Sequence, residues 1–485
     1  MSDQKTQLIR GLTLRDTTAL VVGTIIGTGV FLKTAKMAQA VGSPQLVLLA
    51  WVAAGLLSLA GALSYAELGA MLPEAGGEYV YLKTAYGDLP AFLFGWMRII
   101  IGSTGSVASF GVAFALFLSA FVPLDAVWLT KNFQLFGIKI DWQFGIKQIV
   151  AVGIILFFSA LNCARVVFGG RIQSILTFGK VLGIAAIVVG VFFFAPDATW
   201  ENFRAPGGSA NWAGFSAFGA AMLAALWAFD GWNNMPMVSG EVQNPGRNIP
   251  WAIFIGMGIV LLVYGAINLA YFYGLPFSEI VTSSSSLHGN SPPVVSKAAA
   301  TFLGNLGPKF VSAAVLLSVI GVLNGSILTS ARIPYAMARD GLFFSRFAKL
   351  DEKTAVPVAA ILMQGIWASL LSLSASFDQL TDGVVFAGMI FYAACCVAVF
   401  VLRKKMPNAP RPYRTFGYPV VPLLFVIVAV WLLINTLKTS PAESRIGLIL
   451  IALGLPIYFW QRRKRVSVAK TQLRSDNVAV KDERL

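Results

Sequence analysis

Long apolar blocks follow one another along this chain, separated by short polar segments. About 20 apolar residues make a helix long enough to cross the hydrocarbon core of a bilayer. Twelve blocks meet that measure: 16–37, 46–72, 89–121, 148–162, 172–194, 215–239, 251–273, 310–338, 356–373, 383–402, 420–437 and 446–460. The fourth is short. The third and eighth are long, as strongly tilted helices are. The pattern predicts an all-α polytopic membrane protein with twelve transmembrane helices.

Two blocks are broken in the middle by glycines and polar residues: Gly23-Thr24-Ile25-Ile26-Gly27-Thr28-Gly29 in the first and Trp227-Ala228-Phe229-Asp230-Gly231-Trp232-Asn233-Asn234 in the sixth. Glycine frees the backbone to leave helical geometry. Non-helical backbone at membrane depth is tolerated only where it is buried in protein or lines a cavity. Paired interruptions in corresponding helices of two halves point to a secondary transporter's substrate site. The same glycines also suit close packing between membrane helices. Blocks one to five and six to ten can be laid over each other, each set beginning with an interrupted helix, and an odd number inverts the second set. This divides the chain into a tail (1–15), a first repeat (16–195), an inverted repeat (215–402), two further helices with their preceding loop (403–460) and a second tail (461–485). The second tail is polar, and no fold of its own is expected there.

Composition agrees. Of 485 residues 57% are hydrophobic and 12% charged, where a soluble protein carries about 25% charged residues. Mean hydropathy is +0.73. The net charge of +15 falls in short basic clusters between apolar blocks, which does not suit nucleic-acid binding. It fits the positive-inside bias with both termini cytoplasmic: Arg165, Arg171, Arg339, Arg346, Lys349, Lys353, Arg403, Lys404, Lys405, Arg411, Arg414 and the run from Arg462 to Arg465 then face the cytoplasm. The serine-rich segment 278–293 reads as an external loop. Cys163, Cys395 and Cys396 lie in or beside apolar blocks and form no disulfide framework. No cleaved signal peptide is read at the N-terminus.

Enzyme signatures are mostly absent. The sole histidine, His288, falls in the external loop, which removes His-based metal sites and Ser-His-Asp triads. The Gly170…Gly179-Lys180 stretch fails as a phosphate loop, with Ser174 and Val181 at decisive positions. No cofactor or metal is expected. The Asn324-Gly325-Ser326 sequon lies inside a block. Lys180 stands nine positions after Arg171, roughly 13 Å along a helix at 1.5 Å per residue. A charge at that depth costs about 2.5 kcal/mol or more, so it needs partners inside the bundle. It can serve as a fixed cation in place of a coupling ion, as a proton carrier, or as a brace. Asp230 can attract an amino group or cap a half-helix. Trp227 suits a lid over a site or a packing role.

These residues carry a family resemblance. Gly23 to Phe31 resembles the first-helix motif of the amino acid–polyamine–organocation transporters. Leu226 to Asn233, followed by Glu241, Asn244-Pro245, Arg247-Asn248 and Pro250, is similar to sixth-helix sequence of the L-type amino acid transporter branch. Phe178-Gly179-Lys180 resembles its fifth helix and Leu323 to Ser326 its eighth. The resemblance implies the leucine-transporter fold, with five-plus-five inverted repeats, two extra helices, and helices one and six interrupted. It implies sodium-independent amino acid exchange. Ile25, Gly27, Thr28, Gly29, Trp227, Ala228, Asp230 and Asn233 then form the substrate site. Backbone N–H groups of Thr28 and Gly29 would meet the carboxylate, carbonyls of Ile25, Trp227, Ala228 and Asp230 the ammonium, and Trp227 would occlude the site. Lys180 would tie the first helix to the eighth near Ser326.

Two departures stand out. Eukaryotic members join a heavy glycoprotein through a cysteine after helix three. Residues 120–147 contain none, so no disulfide-linked heavy subunit is expected and a stand-alone bacterial protein is the better match. Ser239-Gly240-Glu241 replaces the branch's usual Thr-Glu-Glu. The expected activity is exchange of neutral L-amino acids across the cytoplasmic membrane by alternating access, with amino acid and bilayer as the partners. The alternatives are proton-coupled transport, a cationic amino acid or polyamine substrate, and, from another class, a membrane enzyme or sensor.

Overall fold

The computed structural model describes residues 12–72, 76–135, 138–164, 170–204, 214–233, 242–289, 291–352, 354 and 356–464. The polar tail from 465, Arg10, Arg165, Asn234, the 239–241 stretch and Lys353 lie outside the described residues.

Helices α1 (Leu14–Ile25) and α2 (Gly29–Val41) open the bundle. They are followed by α3 (Pro44–Met71), α4 (Glu78–Tyr86), α5 (Asp88–Met97), a π-helical turn (Arg98–Gly102) and α6 (Ser103–Leu118). An antiparallel hairpin, β1 (Val127–Leu135) with β2 (Ile138–Gly145), leads into α7 (Ile146–Cys163) and α8 (Gly170–Phe194). Next come α9 (Gly214–Phe229), α10 (Pro245–Gly274), α11 (Phe277–Val281), α12 (Val294–Leu303), α13 (Gly307–Ser330) and α14 (Arg332–Arg339). The chain closes with α15 (Val358–Ser374), α16 (Phe377–Lys405), α17 (Val420–Thr439) and α18 (Pro441–Ala452).

Among the described residues nine helical stretches are long and apolar enough to cross a membrane. The pair α1 and α2, bent by 46°, makes a tenth, and α9 and α15 are shorter apolar helices. This is a polytopic helical membrane protein. The hairpin corrects the purely helical expectation: the segment between the third and fourth blocks is polar enough to pair as strands outside the bundle. The third block is one span, Asp88–Leu118, with a π-helical turn inside it. The eighth joins α12, α13 and α14 in a single stretch, Val294–Arg339.

Local chemistry fixes the helix ends. Thr13 caps α1 in a reciprocal pair with Asp16, and Ser376 caps α16 with Gln379. α2 lies along α9, and α1 along α10. At one end of the bundle the Arg403 guanidinium donates to both oxygens of Glu67, at 2.9 and 2.7 Å, and the backbone N–H of Thr415 adds a third bond at 2.7 Å. On that side Tyr79 and Lys83 of α4 both donate to Asp340, just after α14. Asn324, the asparagine of the sequon, is buried and accepts a bond from Asn162 at 2.9 Å.

Candidate functional site

The two interrupted stretches meet in space. α1 ends at Ile25, and Ile26 has left helical geometry at φ −69° and ψ 95°. α9 ends at Phe229, and Gly231 turns the chain at φ +121°. A Cβ on Gly231 would lie 2.6 Å from the Thr24 carbonyl oxygen. A Cβ on Gly29 would lie 2.5 Å from the Cα of Ala228. Both glycines are therefore needed for backbone contact between the breaks. The space beside Gly29 is filled by α9, so close helix packing explains this glycine. At Gly27 the nearest atom to an added Cβ is Ile25 O at 3.8 Å, and that residue faces open space.

The open space is a cavity of about 80 Å³. Ile25, Gly27, Thr28 and Gly29 line it from the first break, and Trp227, Ala228, Asp230 and Asn233 from the second. The carboxyl ends of α1 and α9 and the amino end of α2 converge here. Helix amino ends favour anions and carboxyl ends favour cations, so the cavity offers both halves of a zwitterion a complementary terminus. The Tyr264 hydroxyl of α10 lies 2.8 Å from Ala228 O and 3.1 Å from Ile25 O, sharing its proton between the ends of α1 and α9. The backbone N–H of Asp230 donates to Trp227 O at 3.2 Å.

Lys180, on α8, is 5% exposed. Its ammonium donates to Ile26 O at 3.1 Å and lies 3.5 Å from Gly23 O. These carbonyls belong to the last turn of α1 and the break, which lack helical partners by construction. A small cavity beside it also receives Ser318 of α13. Ser326 is elsewhere: it lines the central cavity, and its carbonyl accepts a bond from Ser330. The structure thus brings Lys180 to the first break but not to Ser326.

Trp227 closes one side of the cavity. Its ring packs against Phe110 at 5.8 Å and edge-on against Phe377 at 6.3 Å. Beyond Phe377 lies a charge cluster. Lys33, with no exposed surface, donates to Asp378 at 2.6 Å and to Thr381, and stands 5.0 Å over the Phe377 ring. Asp382 lies 3.6 Å from Lys33 and also pairs with Lys36. The second Asp378 oxygen accepts from the Ser286 backbone at 2.9 Å. Over this cluster opens a polar vestibule of about 330 Å³, lined in part by Ser285, Ser286, Ser376 and Lys147.

On the opposite side a hydrogen-bonded chain runs behind the second break. Asn233 donates to Glu78 at 3.1 Å and to the Tyr392 hydroxyl at 3.0 Å, and Tyr392 donates to Asp230 at 2.9 Å. Asp230 thus accepts from a neighbouring helix; the half-helix it could cap lies beyond Asn233, outside the described residues.

Sequence reasoning passed over Lys33, Asp378, Tyr264, Tyr392, Glu78 and Arg98. Arg98 and Lys33 carried a usable signal, since each is a charge well inside an apolar block. The tyrosines carried none, because an aromatic residue in a span looks the same whether it packs or bonds.

Comparison with known proteins agrees with this geometry. A sequence model of the family described as amino acid permease matches residues 12–455. The chain belongs to the amino acid permease family. The serine/threonine exchanger SteT of Bacillus subtilis is 32% identical over 450 residues, 92% of this chain and 96% of the relative. The human large neutral amino acids transporter small subunit 2 is 30% identical over 469 residues, 92% and 80% of the two chains. The human cystine/glutamate transporter is 30% identical over 470 residues, 95% and 88%. Family and relatives are transporters and exchangers of amino acids, the L-type group among them, and none is an enzyme.

Proposed function

We propose that this protein exchanges neutral L-amino acids across the cytoplasmic membrane without sodium. Twelve spans are arranged as five-plus-five inverted repeats, 16–195 and 215–402, with two further helices in 403–460 and both termini cytoplasmic. The observation that carries the reading is Lys180 on the carbonyls of Gly23 and Ile26. Its ammonium supplies the positive charge that would otherwise have to arrive as an ion, so the first break is held without sodium.

The substrate carboxylate meets the amino end of α2 at Thr28 and Gly29. The ammonium meets the carboxyl ends of α1 and α9, among the carbonyls of Ile25, Trp227, Ala228 and Asp230. Gly27 leaves the floor open, Asn233 connects the site to Glu78 and Tyr392, and Trp227 covers it. The side of Trp227, Phe377 and Lys33 faces outward, because the serine-rich segment that bonds Asp378 reads as external. No disulfide-linked heavy subunit is required, since residues 120–147 offer no cysteine.

The test is counterflow in liposomes carrying purified protein and unlabelled amino acid, with external sodium replaced by choline. Uptake of labelled neutral amino acid should be unchanged. Loss of uptake in choline, restored by sodium, contradicts the proposal.

A further inference from the structure

The last membrane span, Ser444–Lys464, ends on Phe459-Trp460-Gln461-Arg462-Arg463-Lys464. Phe459 and Trp460 are 49% and 45% exposed, and tryptophan at the end of a span sits at the headgroup level of a bilayer. Lys464 folds back over Trp460, its ammonium 4.3 Å from the ring centre. A second segment, from a distant part of the chain, reaches the same ring. α14 ends at Arg339, and Gly341, at φ +70°, turns the chain. The buried Phe343 then packs on Phe344 at 5.0 Å and on Phe347 at 5.2 Å, which fixes the 3₁₀ turn Ser345–Ala348. Phe344, the exposed ring of this group, meets Trp460 at 5.8 Å.

Two basic segments converge through that contact. Arg346 stands two positions after Phe344, and Arg462 two after Trp460. Arg346, Lys349, Arg462, Arg463 and Lys464 are exposed, and none of them forms an ion pair among the described residues. The stretches 341–350 and 453–464 contain no acid. Of the acids flanking the first, Asp340 accepts from Tyr79 and Lys83, Asp351 accepts from Thr354, and Glu352 is exposed. A helix end explains cations that complement its dipole, and the positive-inside bias explains their sign. Neither explains why a separate 3₁₀ turn brings its own cations to the same aromatic contact.

We propose that these two segments form a binding site for the headgroup of an anionic phospholipid, with the two phosphates of a cardiolipin-type lipid as the preferred occupant. Guanidinium groups match phosphate oxygens in pairs, and Arg346 and Arg462 supply them from separate segments. The exposed rings of Phe344, Phe459 and Trp460 lie beside the cations, where the glycerol and acyl chains of a lipid continue from its phosphates. That placement at the apolar end of a span selects a lipid over a free anion, and basic clusters just beyond membrane spans recognise such headgroups. The site is separate from the central cavity and does not depend on exchange. With both termini cytoplasmic it belongs to the inner leaflet.

The experiment is native mass spectrometry of the full-length protein in detergent, titrated with cardiolipin or with phosphatidylethanolamine. Cardiolipin should bind about tenfold more tightly, and Arg346→Gln combined with Arg462→Gln should remove most of that difference. Lys404→Gln combined with Arg414→Gln removes the same charge elsewhere and should leave binding unchanged. All four residues are exposed, so the comparison is between folded proteins. Phe344→Ala keeps every charge but removes the contact between the segments, and should weaken cardiolipin binding as well. Equal binding of the two lipids, an equal loss in the Lys404 and Arg414 pair, or unchanged binding in Phe344→Ala overturns the site. Displacement of cardiolipin by millimolar inorganic phosphate assigns the cations to a free anion and overturns it too.

Discussion

Lys180 Nζ stands 3.1 Å from the carbonyl oxygen of Ile26, joining α8 to the residue at which α1 stops being helical. Without it, that carbonyl and Gly23 O lose the ammonium donor they share. Lys180→Ala should therefore loosen the first break and slow exchange by tenfold or more, on the order of 1.4 kcal/mol in the barrier. Counterflow rates in sodium and in choline check it. If Lys180 instead carries a proton, wild-type uptake responds to an imposed pH gradient and the variant loses that response.

Asp378 is the principal partner of a lysine with no exposed surface. Removing one member of a buried ion pair costs about 3–5 kcal/mol, because the other charge stays buried. Asp378→Asn should lower the melting temperature markedly. Lys33→Met in the same chain should recover much of the loss, since it removes the stranded cation. Thermal unfolding of the two variants in detergent decides this, and equal melting of single and double variants contradicts it.

Gly29 and Gly27, two residues apart, should respond differently to alanine. At Gly29 the new methyl group meets α9 backbone at 2.5 Å, and overpacking of this kind costs about 1–3 kcal/mol. At Gly27 the methyl group enters the cavity, so the melting temperature should hold while substrate affinity falls. Isothermal binding beside thermal unfolding separates the two outcomes.

Trp227 walls the cavity and is proposed as its lid. Its ring is 6% exposed, between Phe110 and Phe377, and truncating a core tryptophan to alanine costs about 3–5 kcal/mol. Trp227→Ala should lose stability and transport together, whereas Trp227→Phe should keep most of the stability and still weaken binding. Unchanged affinity in Trp227→Phe assigns the residue to packing alone.

The sequence made the bundle legible because membrane helices need uniform apolar length, which any reader can count. The bend between α1 and α2 was legible because glycine and polar residues stand out against that background, and the eight residues singled out in the two stretches line one cavity. Ser326 lines the central cavity, while Ser318, eight positions earlier on α13, lines the small cavity beside Lys180. The hairpin escaped because strand pairing across 127–145 leaves a weaker pattern than a span. Tyr264 and Tyr392 escaped because their hydrogen bonds join segments far apart in the chain.

The central claim is exchange, and one measurement tests it most directly. Purified protein is reconstituted into two sets of liposomes, one loaded with unlabelled serine and one empty, and labelled serine is added outside. The account predicts label entering the loaded set and almost none entering the empty set. Strong uptake into empty liposomes driven by a sodium or proton gradient would contradict it.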